Sequence, residues 1–347
     1  MNHLRLAGPR SVLRGCVLLL LVLAGAMPAA DIDVQASVDR GLAALVKLQQ
    51  PDGLIGEGAG ISALAGMAFL SGGHTPTRGQ YHDASARCLR AVITRQDPFS
   101  GYLGADLGNM YAHGFATLYL AESYGMSPDQ PVRRALEAAV DRIHQAQNQE
   151  GGWRYTPTPN DADISVTICQ IMALRAANNV GIGGQATQDS IAKAIAYVRR
   201  CANGDGSFAY MASSAGNWGA NGAEGVPRTA AGSMSLIGSG INDLADPTLG
   251  PAMRFLLKHF QEHLKGAQKG AEHYFWYGQY YTAQAMFHSP DGDDWDRYWQ
   301  IAAPVIAGRQ DRNGLWLQGE GPGPVYNTAM ALIILQIPNN YLPIFQR

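Results

Sequence analysis

The sequence predicts an all-α protein built as a double ring of six helix pairs. Three observations predict it: a repeated Gln-x-x-x-Gly-x-aromatic turn, alternation of one-sided with all-apolar helices, and a composition rich in glycine and poor in charge. Gln147 opens QNQEGGW and Gln310 opens QDRNGLW; Gln49 opens QQPDGLI, Gln96 opens QDPFSGY, and Ala202 opens ANGDGSF with the glutamine replaced. The starts differ by 47, 51 and 55 residues, and the 108 residues from Ala202 to Gln310 leave room for one unmarked unit, making six.

Each unit begins with a one-sided helix. These are predicted from Val34 to Gln50, Tyr81 to Gln96, Pro131 to Gln147, Thr187 to Ala202, Pro247 to Lys265 and Asp293 to Arg309. In PVRRALEAAVDRIHQAQ, Val132, Leu136, Ala139 and Ile143 recur at three and four residues, with Arg133, Glu137 and Arg142 off that stripe. After the turn comes a second helix, apolar nearly all round: Ile61 to Ser71, Met110 to Tyr124, Asp163 to Asn178, Thr229 to Ser239, His273 to Phe287 and Val325 to Gln336. A helix apolar on every side must be covered on every side, so the second helices form an inner ring and the first an outer one. An open superhelix of helix pairs would expose the inner row along a groove, so closure is favoured. The tail NNYLPIFQR, with Tyr341, Leu342, Ile344 and Phe345, is apolar enough to pack back on the ring.

Composition agrees. Apolar residues make up 46% of the 347 and charged residues 16%, against about 25% in an average domain; 41 are glycine, where about 7% is usual. A net charge of −2 without Lys/Arg blocks excludes nucleic acid and anionic membrane surfaces as main partners.

Residues 1–30 have the layout of a secretory signal peptide. Arg5, Arg10 and Arg14 precede the apolar run from Val17 to Ala26, and small residues follow. The run is shorter than the roughly 20 residues a membrane span needs, so contact with the membrane is expected only through this leader. A single ring domain over 31–347, exported to the periplasm or secreted, is the expectation. Its 23 basic and 28 acidic residues make it mildly acidic. Cys88, Cys169 and Cys201 allow at most one disulfide and read as buried, apolar-like side chains.

With its Gln-Gly-Trp repeats, the chain resembles the squalene cyclase and protein prenyltransferase superfamily, the (α/α)6 toroids. It is most similar to small exported bacterial proteins with prenyltransferase/squalene-oxidase repeats, through MYAHGFATLYLAESYGM, GGWRYTP, DISVTICQIMALRAA, YFWYGQYYTAQAM and YLPIFQR. The resemblance covers most of residues 31–347. It implies a toroid whose inner helices surround a cavity, with the loops at their N-terminal ends forming its mouth. It also implies that the Gln-Gly-Trp turns are structural, tying the end of an outer helix to the neighbouring unit.

The family's chemistries transfer unevenly. Type II terpene cyclases use an aspartate inside Asp-x-Asp-Asp; here Asp161, Ala162, Asp163 and Ile164 lack the third acid. Asp163 therefore has two readings, an N-cap of its inner helix, which is favoured, and a proton donor whose pKa burial would raise, with His113 as accompanying catalytic candidate. The prenyltransferase zinc site needs Asp-x-Cys and the thioester proteins Cys-Gly-Glu-Gln; neither occurs, so no cofactor and no metal are expected. His259, Glu262 and His263 match His-x-x-Glu-His but read as a solvated helix face, and the acidic run Asp291, Asp293, Asp294 and Asp296 as a helix N-terminus.

Aromatics carry the stronger functional signal. Tyr111, His113, Trp153, Tyr155, Asp163, His273, Tyr274, Trp276, Tyr277, Tyr281 and Tyr326 lie in or just before inner helices and are expected to line one cavity. The reading is a toroid that binds an apolar small molecule, a peptide or a cell-envelope partner there, with cyclase-like acid chemistry at Asp163 as the alternative.

Overall fold

A computed structural model describes residues 33–105, 108–216, 222–266, 274–319 and 321–346. The leader and His273 lie outside these. Among the described residues twelve α-helices alternate: α1 (Val34–Lys47), α2 (Gly58–Ser71), α3 (His82–Thr94), α4 (Met110–Met126), α5 (Gln130–Ala146), α6 (Ile164–Asn179), α7 (Gly184–Arg200), α8 (Val226–Ile237), α9 (Leu249–Gly266), α10 (Phe275–Phe287), α11 (Gly292–Ala307) and α12 (Pro324–Gln336). No helix among the described residues is long and apolar enough to cross a membrane.

The even-numbered helices are buried along nearly their whole length, and the odd-numbered ones along a stripe. Contacts among the even helices run α2, α4, α6, α8, α10, α12 and back to α2, so the inner ring closes. Each outer helix packs more closely on the inner helix before it than on the one that follows. The turn inside each unit therefore carries the chain from one closely packed helix pair to the next.

That crossing explains the repeat. Gln147 Nε2 donates to Gly151 O in its own turn and to Ser190 O in α7, the next outer helix. Gln49 does the same with Gly53 and Ala84, Gln96 with Gly101 and Ala135, and Gln310 with Gly314 and Ser37. The last of these joins the sixth unit to the first and sews the ring shut. Gly151 has φ +95°, and a Cβ there would collide with Lys193 O of α7. Left-handed backbone and close approach thus both require glycine.

At the other end of the inner helices the tail folds back, burying Leu342, Ile344 and Phe345 against α4 and α6. Tyr341 departs from the expectation and remains half exposed. Ile344 N donates to Glu122 Oε2, 3.2 Å away. Glu122 is fully buried, and desolvation pushes its carboxyl up to about 8. All three described cysteines are buried and free.

Candidate functional site

The inner helices begin at one end of the ring, and there the loops interlock. Asp163 N donates to Trp153 O, Ile164 N to Tyr210 O and Met110 N to Tyr155 O, so the segments after α5 and α7 are pinned to the first residues of α6 and α4. Pinning brings together Asp163, Arg154, Tyr155, Tyr210 and Tyr111.

Asp163 caps α6 with one carboxyl oxygen and buries the other. Its Oδ1 accepts from Ser165 N and Val166 N at 2.8 Å each, the expected N-cap. Its Oδ2 is buried and accepts no hydrogen bond; Arg154 Nε lies 3.4 Å away without donating to it. Burial pushes the carboxyl up to about 6, and the cap amides, the nearby Tyr210 hydroxyl and the Arg154 charge offset part of that effect. Arg154 is held by Asp161, at 2.8 Å, and lies over the rings of Tyr155 and Tyr210 at 5.1 and 5.4 Å. The hydroxyls of Tyr155 and Tyr210 hydrogen-bond to each other. Tyr155 is exposed, Tyr210 and Tyr111 partly so, and the cluster forms a shallow polar–aromatic mouth.

Below the mouth, aromatic side chains meet across the ring. Helices α4 and α10 stand opposite each other in the closed ring, yet Tyr111 meets Tyr277 edge-on at 6.4 Å and Phe115 meets Tyr280 edge-on at 6.1 Å. Tyr277 also donates to Ser165 O, and the Tyr281 hydroxyl contacts Cys169 Sγ. Aromatic contacts thus span the centre at two levels, where the family resemblance implies an open cavity. Desolvation holds the hydroxyls of Tyr111, Tyr277, Tyr281 and Tyr326 well above the ordinary tyrosine range, so all four stay protonated.

Several expected cavity residues belong to the frame instead. His113 is fully buried with both ring nitrogens engaged: Nδ1 accepts from Leu103 N and Nε2 faces Ala139 O of α5, each at 3.1 Å. Burial lowers its pKa to about 3, so it remains neutral. Trp153 faces the ring junction, its Nε1 donating to Ile143 O. Trp276 is closed in against Phe275, with Nε1 on Gln318 O. Tyr274 sits at the start of α10 with φ +57° and is largely exposed, outside the central stack. Tyr326 is buried on α12, close enough for Cys169 to act on its hydroxyl.

Two motifs resolve differently. His263 is buried, its Nδ1 bonded to Gln279, while His259 lies against Phe255 and Glu262, so the two histidines do not share a ligand position or form the solvated face expected. Asp291 caps α11, as its acidic start implies.

Sequence reasoning missed Arg154 and Tyr210. Arg154 was legible as the one charge between Trp153 and Tyr155; nothing local marks Tyr210, which reaches the site only because α7 leads back to α6.

No family model and no curated protein matches this chain. Solved structures match its fold. The GH76A α-1,6-mannanase of Salegentibacter sp. HEL1_6 aligns at TM-score 0.64 and 9% identity, over 89% of this chain and 100% of that one. The type II terpene cyclase MstE from Scytonema aligns at TM-score 0.60 and 14% identity, over 89% and 98%. The cellobiose 2-epimerase of Spirochaeta thermophila aligns at 0.63 and 14%, over 87% and 94%. At such identities the likeness concerns the fold alone, and it defines the class: the chain is an (α/α)6 toroid. One fold here carries hydrolysis, cyclisation and epimerisation, so function has to be argued from the mouth.

Proposed function

We propose that this is an exported toroid that binds an organic ligand at the mouth, not in a deep central chamber. The observation that carries it is the buried Oδ2 of Asp163, which faces the Arg154 guanidinium at 3.4 Å but accepts no hydrogen bond from it, beside Tyr111, Tyr155 and Tyr210. An unsatisfied buried acceptor costs about 1–3 kcal/mol, which a ligand hydroxyl or amide donor would recover. Tyrosine faces offer apolar contact around it, so a small molecule or peptide with one donor group and an apolar side fits best. The aromatic contacts across the centre support a ligand that is held near the surface, because an enclosed site for a drug-sized molecule is typically about 300–1,000 Å³. Export rests on the leader, and N-terminal sequencing of protein recovered outside the cytoplasm checks it; an intact Met1 would count against a cleaved leader.

Native mass spectrometry of wild type and Asp163→Asn against uncharged oligosaccharides, short peptides and farnesol tests the binding reading. The expected result is one retained class, weakened at least about tenfold by the substitution; equal retention by both proteins would overturn it. A second reading, acid chemistry at Asp163, is favoured by the carboxyl pushed up to about 6 with one buried oxygen that accepts no hydrogen bond. Conversion of a polyprenyl substrate by wild type and not by Asp163→Asn would establish it, and no conversion by wild type would remove it.

A further inference from the structure

At the opposite end of the ring from the mouth, a groove of about 600 Å³ opens between the ends of α6 and α8 and the first half of α7. Its floor is Arg175, and its walls are the amides Asn178, Asn179 and Gln188 and an apolar strip of Ile191, Ile195 and Ile241. Arg175 is only partly exposed, yet among the described residues no carboxylate lies at contact distance from its guanidinium. Arg199, by contrast, is paired with Asp246 at 2.7 Å and Arg154 with Asp161 at 2.8 Å. The acid acting on Arg175 through space is Glu122, whose Oε2 is already committed to Ile344 N. A partly desolvated guanidinium facing an open groove with no ion-pair partner at contact distance among the described residues is poised for an external anion, and its planar fork matches an oxyanion head with two parallel hydrogen bonds.

We propose that this groove binds a small organic anion, with its carboxylate or phosphate head on Arg175 and a short apolar body along Ile191, Ile195 and Ile241. The three amides supply further donors beside the head, and the walls suit a chain of a few methylenes, not a second charge. Arg175 also lies where α6 and α8 end, so its charge opposes their negative dipole ends. That role bears on stability and is independent of what fills the groove.

Isothermal titration of the full chain with octanoate, with octyl phosphate and with methyl octanoate as the uncharged control tests the proposal. Saturable binding of either anion, at least tenfold weaker for the methyl ester, is expected in wild type. Arg175→Met should abolish it. Gln188→Glu, an exposed position on α7 where folding is not at stake, should weaken it at least fivefold by placing a negative charge beside the head. Octanoate alone would assign a carboxylate ligand, and octyl phosphate alone a phosphate ester. Binding of the ester equal to that of the anions, unchanged binding by Gln188→Glu, or no binding of either anion to wild type would overturn it.

Discussion

Two turns of the ring are the same structure with different contents. At Trp153 and Trp316 the indole Nε1 donates to the outer-helix carbonyl ten residues back, Ile143 at 2.8 Å and Ile306 at 2.7 Å. The backbone N donates to an inner-helix threonine, Thr167 at 3.1 Å and Thr328 at 3.0 Å. The glycines two residues before them have φ +95° and +88°. Past the tryptophan they part: Arg154 and Tyr155 lead to the cap Asp163 in one, Leu317 and Gln318 to Gly323, with no side-chain cap, in the other. The repeat supplies a frame with fixed mechanics, and the residues after the tryptophan and at the cap are free to carry chemistry.

If the frame is equivalent in both places, Trp153→Ala and Trp316→Ala should each cost about 3–5 kcal/mol in urea unfolding, within about 1 kcal/mol of each other. A large effect at one site only would break the comparison. The pH dependence should separate the two units. An unfolded Asp163 titrates near 3.8 and the folded one at about 6, so between those values the folded state holds more protons and stability falls as pH rises. The loss should approach about 3 kcal/mol by pH 6 and stay level above it, as each pKa unit is worth about 1.4 kcal/mol. Asp163→Asn should flatten that window in stability measured from pH 3.5 to 7, and Trp316→Ala should leave its slope unaltered.

Smaller effects sharpen the same contrast. Gln147→Ala and Gln310→Ala each remove three hydrogen bonds of the side-chain amide, two donated by Nε2 and one accepted by Oε1, from Ser190 Oγ and Arg40 Nη2 respectively, and are expected to cost about 1–3 kcal/mol. The second should additionally speed hydrogen exchange in α1 and α12, where the first and last helices of the ring meet; equal exchange there in both variants would show that Gln310 is not what seals the seam. Smallest, Asp163→Ala should be about 1 kcal/mol less stable than Asp163→Asn, because asparagine still caps the helix. No difference between them would mean that the cap contributes nothing and that Asp163 is retained only for its free oxygen.

All twelve helices were legible to within three residues, since one-sided and all-round apolar patterns report directly on half and full burial. The site was legible in part. Asp163 could be found because capping is local: its oxygen reaches amides two and three residues on. Tyr111 and His113 show the limit. They are two residues apart on one helix, about 200° around its axis, so one faces the centre and the other α5. In a helix apolar on all sides no polar face tells the two directions apart.

The sequence by itself determined the helix count, their alternation, the glycine turns and the capped start of α6, because each depends on periodicity or on neighbours a few residues away. Tertiary structure alone decided that the ring closes through Gln310 and Ser37, that α10 places its tyrosines across the centre, and that Tyr210 arrives beside Asp163. These involve residues tens to hundreds of positions apart, whose meeting depends on how side-chain volumes fill a closed ring.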